Sequence, residues 1–444
     1  MSQEKVNNRW FVVLGAVLIQ LCLGAIYSWS IFTPNLLASG WSKLDTQIVF
    51  AVTLASFTIV MSFSNKYLLI VRPHRLARIG GLTLGLGYFL AGLLQGFGFW
   101  PVLIGVGIIG GAGLGMGYCV PITVGMRWFP DHKNLITGIA VLFFGMGALV
   151  GVEMAGDWGG LLHRWGLANT LMLYGVAFSA LMLVGSLWMH MPSNLWSPPD
   201  DPTLSSSPMP LGHEDFSIDE MLHTPQFYLI FLTFTLSAGA GLMAIGLMQL
   251  YPMEALQRSG YSAAQASSIA ATAQAVFFAL ANGIGRIAWR LIGEWLGRKR
   301  AILLMMCAQG TVFFAFSSMA GKENMLYLGA LLIGFNFGGN FALFPALTAD
   351  EFGKNTVGKN YPLVFLAFGV GGLLFPILGG ILGDMGLFSF AFILGALSCI
   401  LGAGCCAIIF PPHLEDVHKP LSVHGFLQQI HIADHATDLE KNHP

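Results

Sequence analysis

Charge is what this sequence lacks most. Of its 444 residues only 10% are Asp, Glu, Lys or Arg, where a soluble domain carries roughly a quarter. So little polar surface cannot cover the apolar remainder, which excludes an ordinary soluble domain. Cysteine is sparse too: Cys22, Cys119, Cys307, Cys399, Cys405 and Cys406 all lie in apolar stretches, without CxxC or metal-ligand spacing. They read as small packing residues, which argues against a disulfide framework, a redox pair or a cysteine metal site. Catalytic signatures are missing as well. With no HExxH, no GxSxG and no paired carboxylates inside an apolar run, neither a membrane enzyme nor a cofactor is expected. A GxGxxG-like pattern in the fourth apolar run follows no strand, so it is no nucleotide fingerprint. The formal net charge is −1, and no nucleic acid is expected as a partner.

Apolar length is what the chain has in abundance. Hydrophobic residues make up 55% of it, with 34 Phe and 56 Gly. A spanning helix needs about 20 apolar residues, and twelve such runs can be marked: 10–36, 47–64, 77–97, 100–127, 134–156, 167–190, 225–250, 263–290, 301–321, 325–348, 358–383 and 386–411. The first is too long for a signal peptide and has no small-residue cleavage site, so it is expected to stay. Between runs six and seven lies a segment rich in Pro, Ser and acid that contains no Lys or Arg. The expectation is an all-α membrane protein embedded in a lipid bilayer. Residues 1–190 form an N-terminal six-helix half, 191–224 a cytoplasmic linker, 225–411 a C-terminal six-helix half and 412–444 a cytoplasmic tail.

The basic residues orient it. With the N-terminus inside, sixteen Lys and Arg fall on the inner side and four, Lys43, Arg164, Arg258 and Lys322, on the outer. That bias puts both termini in the cytoplasm. Of the 21 basic residues only Arg286 remains, inside run eight. A repeat at a constant offset of 224 relates the halves: Gly115 with Gly339, Pro121 with Pro345, Phe144 with Phe368, Gly145 with Gly369, Gly147 with Gly371 and Leu149 with Leu373. Gly107, Gly111 and Gly115, and Gly113 with Gly117, recur every fourth residue and let neighbouring helices approach.

Two parallel six-helix halves around a midplane site are the architecture of the major facilitator superfamily. Within it, the chain resembles the oxalate/formate antiporter family, which neighbours the monocarboxylate transporters. The resemblance is carried by NRWFVVLGAVLIQLCLGAIYSWSIF (8–32), GMRWFPDHKNLITG (125–138), HTPQFYLIFLTF (223–234), NGIGRIAWRLIGEWLGR (from 282), FNFGGNFALFPALTADEFG (335–353) and GKNYPLVFLAFGVGG (358–372). It covers nearly the whole membrane region in order. It implies transport of a small organic anion by alternating access in a bacterial-type inner (plasma) membrane, the chain acting as a monomer.

The resemblance makes Arg286 the substrate-anchoring arginine of span 8. Physical chemistry points the same way, because an arginine at the centre of a spanning helix costs roughly 2.5 to 3.5 kcal/mol and cannot shed its charge. Its planar fork suits a carboxylate. The other reading is an arginine that snorkels, or pairs with Glu294 or Asp350. Family members that carry the dianion oxalate have a lysine in span 11, at the position of Phe368 here. One fixed cation neutralises one carboxylate, so a monocarboxylate is expected.

Carried across residue by residue, the family pocket keeps Tyr27 and Tyr118, replaces a glutamine by Ile26 and a tyrosine by Phe144, and has Phe337, Phe341 and Phe365 at aromatic positions. Aromatic walls stay while hydroxyls and indole N–H groups go, which fits a less polar or bulkier anion than oxalate. Ordinary core or lipid-facing packing is the alternative for each Phe. Asn282, Asn336 and Asn340 can orient a carboxylate or bond another helix, and Gln249 and Gln274 are weaker candidates.

Coupling is open. Related proton-coupled carriers place an acid directly before the span 8 arginine, where this chain has Gly285. The carboxylate inside a span is Glu153, a possible proton site or simply a water-exposed helix end. Exchange, facilitated passage and proton symport all stand, as does a transporter-like sensor without flux. In the loop after span 8, RLIGEWLGRKR, Glu294 takes the family's acidic place, with Arg290 and Arg298 around it, as a gating loop. The corresponding first-half loop, NKYLLIVRPHR, has no acid, so a weak first-half latch is expected. The tail carries His413, His418, His424, His431, His435 and His443 at irregular spacing. No metal site is expected there, while FLQQIHI suits a surface helix.

Overall fold

Backbone groups in hydrocarbon must find their hydrogen bonds within the chain. In the computed structural model, which describes residues 9–68, 70–192, 215–410 and 412, the described residues do so in helices, with no strand among them. Among the described residues, twelve helices are long and apolar enough to cross a membrane: span 1 Trp10–Ala38, span 2 Lys43–Tyr67, span 3 Pro73–Leu93, span 4 Phe99–Trp128, span 5 Ile136–Ala155, span 6 Leu161–Ser186, span 7 Pro225–Leu247, span 8 Ala263–Leu296, span 9 Arg298–Met319, span 10 Glu323–Phe352, span 11 Val357–Asp384 and span 12 Phe388–Ala407.

Several spans outrun the apolar stretches that mark them. Hydropathy stops at the first charges, whereas a helix stops where the backbone turns. Span 8 continues to Leu296 and ends at Gly297, and span 10 continues to Phe352 and ends at Gly353. Both glycines have φ above +80°, the left-handed region that L side chains resist. The starts are also written locally. Ser42 with Asp45 and Ser262 with Gln265 form capping boxes at spans 2 and 8, satisfying amide protons that the first turn leaves free.

Spans 1 to 6 pack chiefly on one another, as do spans 7 to 12, and the two sets meet where span 2 lies against span 11 and span 5 against span 8. The sequence repeat reappears in these contacts. A methyl group on Gly147 would sit 2.6 Å from the Gly24 Cα of span 1, and one on its counterpart Gly371 would sit 3.0 Å from the Gly239 Cα of span 7. One step away, Gly145 abuts Gly283 of span 8, and Gly369 abuts Thr58 of span 2. Equivalent glycines therefore serve equivalent crossings, within each half and between them. This is the all-α fold of twelve spans in two related halves.

Both ends of the seam between the halves are bridged. At the face where span 1 begins, Ser62 donates to the Pro362 carbonyl and Asn65 to the Gly358 carbonyl, each at 2.9 Å. At the far face, Asp384 accepts from the backbone N–H groups of Lys43 and Leu44, capping span 2 from the other half. Lys43 pairs with Glu254, and Gln47 donates to the Gly246 carbonyl. Exposed tryptophans ring both ends, Trp10 and Trp295 at the first face and Trp100, Trp158 and Trp165 at the far one, as in membrane-interface belts.

The last part of the linker packs onto the second half. Phe216 donates its N–H to the Phe352 carbonyl and its carbonyl accepts from Asn360, just before the short helix Ile218–Leu222. Linker residues 193–214 and the tail histidines with FLQQIHI lie outside the described residues.

Candidate functional site

Arg286 is 3% exposed. It does not snorkel, and the acids weighed as its partners are engaged elsewhere: Glu294 with Arg290 at 3.1 Å, one turn away on the same helix, and Asp350 with Arg298 at 3.6 Å. Its Nε donates to Asn282 Oδ1 at 3.2 Å, and its Nη1 to the Val141 carbonyl of span 5 at 3.0 Å. Aromatic faces cover the rest of the group. The guanidinium carbon lies 4.0 Å from the Phe341 ring centre and 5.3 Å from that of Phe144, a cation–π arrangement that strengthens when dry.

One edge is left. Among the described residues, Nδ2 of Asn282 is buried without a hydrogen-bond partner, and buried Nη2 of Arg286 and the Tyr27 hydroxyl have none besides each other. Tyr27 is brought there by a 3-10 segment, Ala25–Phe32, which interrupts span 1. Its ring packs edge-on against Phe144 and Phe337.

Around this point the aromatic residues named from the sequence come together. Tyr118 touches Phe144 and stacks near Phe365; Phe365 stacks on Phe368 at 5.1 Å; Phe368 meets Phe341, and Phe341 meets Phe337. Ile26 is buried beside Tyr27 in the chain. Phe57 of span 2 closes the ring against Tyr118, Phe365 and Phe368. Sequence reasoning missed it, as one Phe among 34 with no motif around it. The Val141 carbonyl was missed for a different reason, since a backbone acceptor leaves no mark in the sequence.

Other candidates are placed elsewhere. Asn340 accepts from Ser237 at 2.7 Å and donates to the Phe337 carbonyl, so its amide ties span 7 to span 10 instead of reaching Arg286. Gln274 lies in a π segment of span 8, Ala273–Phe278, where it bonds Ser30 and donates to the Tyr27 carbonyl at 2.6 Å. It joins the halves on the far-face side of Arg286. Gln249 bonds Ser267. Glu153 is 5% exposed, and so is not a water-exposed helix end. Trp158 and Gly159 donate back to its carbonyl, turning the chain at the end of span 5.

The gating-loop residues form a compact set at the first face. Besides pairing with Asp350, Arg298 donates to the Arg290 carbonyl at 3.3 Å. The first half is held differently, by Arg9 at the start of span 1, which pairs with Asp131 after span 4 at 2.9 Å. Burial raises the Asp131 carboxyl, but hydrogen bonds from His132 and Arg9 outweigh it and hold the group below the usual carboxylate range. No three His, Cys, Asp or Glu side chains gather as a metal-binding group among the described residues.

Comparison with known proteins gives this geometry a family. The family model of the Major Facilitator Superfamily matches residues 10–361 and 260–432. An uncharacterized MFS-type transporter of Escherichia coli, YhjX, is 26% identical over 83% of this chain and 86% of its own. The oxalate:formate antiporter of Oxalobacter formigenes is 22% identical over 97% of this chain and 98% of its own. Apicoplast pyruvate carrier 1 of Toxoplasma gondii is 22% identical over 81% of each. Among solved structures, a point mutant of the nucleoside transporter NupG superposes with a TM-score of 0.66 over 91% of this chain and all of its own, at 13% identity, and speaks for the fold alone. The chain belongs to the Major Facilitator Superfamily of membrane transporters.

Proposed function

We propose that this protein carries a small organic anion with one carboxylate across the inner (plasma) membrane, by alternating access around Arg286. The observation that supports it is the single cation with one edge unfinished: Nη2 of Arg286, with no partner besides the Tyr27 hydroxyl, and the unpartnered Asn282 Nδ2, inside an otherwise aromatic cage. A carboxylate supplies the acceptors these donors lack and neutralises the guanidinium. A second carboxylate would lie against Phe365 and Phe368 without a cation, at a cost of several kcal/mol. The names of two relatives, an oxalate:formate antiporter and a pyruvate carrier, favour small carboxylates. The excess of Lys and Arg at the face where span 1 begins supports a cytoplasmic position for that face.

Exchange or facilitated passage needs nothing beyond this site. Proton-coupled symport is the second reading, favoured by the burial of Glu153 within span 5. Counterflow in proteoliposomes with labelled pyruvate, lactate, formate and oxalate tests the main reading. Monocarboxylate flux that disappears in Arg286→Gln is the expected result. Binding without flux would point to a sensor, and flux indifferent to Arg286 would overturn the anion-anchor role.

A further inference from the structure

Gln274 is a buried polar side chain that the holding of an anion leaves unused. It is 1% exposed, on span 8 and toward the far face from Arg286. Both ends of its amide cross the seam between the halves. Its Oε1 accepts from the Ser30 hydroxyl of span 1, and its Nε2 donates to the Tyr27 carbonyl at 2.6 Å. The two helices are irregular where they meet, 3-10 over Ala25–Phe32 and π over Ala273–Phe278, and π turns inside α-helices gather at functional sites.

Tyr27 therefore has two attachments to the second half. Gln274 holds its carbonyl, while its hydroxyl has no partner besides Nη2 of Arg286. The π segment reaches the aromatic cage a second time, since Phe278 packs on Phe337, the ring against which Tyr27 stands edge-on. An anion bound between the guanidinium and that hydroxyl fixes the same residue whose backbone carries the seam contact.

Opening the far face must part Gln274 from Ser30 and Tyr27, because they belong to different halves. The pair of Lys43 with Glu254 is broken in the same movement, but it lies at a partly exposed rim where water replaces it at little cost. A buried amide differs, since the partners it releases stay unsatisfied until water enters. We infer that Gln274 is the inner latch of the far-face gate and that, through Tyr27, it couples occupancy of the Arg286 site to closure of that face. It is a positioning residue and does not itself hold the anion. The coupling rests on the anion-anchor role of Arg286 and deepens it. A ligand shifts a conformational equilibrium only by binding one state better, and here that state is the one in which Tyr27 and Gln274 are joined.

Amide hydrogen exchange on the full chain in proteoliposomes reads both faces at once. Without anion, Gln274→Leu should speed exchange in the far-face segments 25–38 and 263–278 roughly tenfold, the factor that about one lost buried hydrogen bond produces. Exchange at the first face, in 58–67 and 357–366 around the Ser62 and Asn65 contacts, should slow, because molecules that open one face close the other. Loosening of both faces alike would show that Gln274 only holds structure, and it would overturn the inference, as would an unchanged far face. Saturating pyruvate should protect 279–290, around Arg286, in both proteins, but slow exchange at 25–38 in the wild type far more than in Gln274→Leu. Protection around Arg286 with equal slowing of the far face in both would overturn the coupling and leave the carrier reading standing. No protection around Arg286 in the wild type would instead remove the reading on which the coupling rests. Ser30→Ala, which takes away one of the two partners from the other half, should move the faces in the same opposite directions by a smaller factor. That variant decides the matter if Gln274→Leu does not accumulate in membranes.

Discussion

Arg286 of span 8 donates its Nη1 proton to the carbonyl of Val141 on span 5, at 3.0 Å, across the seam between the two halves. The residue proposed to hold the anion is therefore also a strut between the bodies that must rock. Anything that draws the guanidinium toward a ligand bears on that strut.

Replacing Arg286 by Lys keeps the charge but removes the fork. A lysine ammonium cannot satisfy Asn282, Val141 and an anion along three edges while lying flat between Phe341 and Phe144. Loss of a charge-assisted hydrogen bond is worth roughly tenfold to a hundredfold. Counterflow rates in Arg286→Lys should fall by that much per reconstituted protein, and in Arg286→Gln to background. A wild-type rate in the lysine variant would mean that the planar geometry is irrelevant.

Phe368→Lys tests the counting of charges. Phe368 is fully buried, stacked on Phe365 and 5.4 Å from Phe341, the ring that carries Arg286. A lysine there would place a second cation in the same cage, so the ratio of oxalate to pyruvate uptake should rise. Thermal stability in detergent should drop without the dianion and recover when oxalate is added, since a ligand that binds the folded form stabilises it. An unchanged ratio would show that charge number does not select the substrate.

How much of this was legible beforehand differs by residue. Arg286 stood out because a cation in a spanning run has no inexpensive explanation, and Gly145 with Gly369 because a repeat magnifies a signal too weak in one copy. Phe57 did not stand out, because a ring in a membrane helix is unremarkable until its partners are known. Asn340 looked equivalent to Asn282 by type and spacing, yet Ser237 claims it, a contact between helices 103 residues apart. For Glu153 the sequence leaves both readings open for a related reason: burial at a helix end depends on how the next turn folds, which hydropathy does not report.

Glu153→Gln tests that burial. Just beyond the end of span 5, Asp157 accepts from Ser268 of span 8 at 2.8 Å, a contact between the halves at the far face. Tyr174 of span 6 bonds the Gly151 carbonyl nearby, and no Lys, Arg or His pairs with Glu153 among the described residues. An ionised carboxylate buried without a cation is costly, so closing this face should take up a proton. Acidifying that side from about pH 8 to about pH 5 should therefore speed counterflow in the wild type. The Gln variant should show a flat profile, and a retained pH response would assign it to another group.

Asp131 provides a prediction of opposite sign. Its carboxyl lies below the usual value of 3.8 because Arg9 and His132 bond the ionised form. A group with a depressed folded pKa binds its proton more readily in the unfolded chain. Its contribution is thus present above the ordinary carboxylate value and disappears as pH falls through the lower folded one. At neutral pH, Asp131→Asn should lower stability by about 1 kcal/mol, a modest figure because the pair lies near the surface. Melting of both proteins in detergent across the acid range gives the test: the gap between them should be constant near neutrality and close below the carboxylate range. A gap that persists under strong acid would mean that the substituted amide disturbs packing, with the ion pair to Arg9 contributing little to holding span 1 against the loop after span 4.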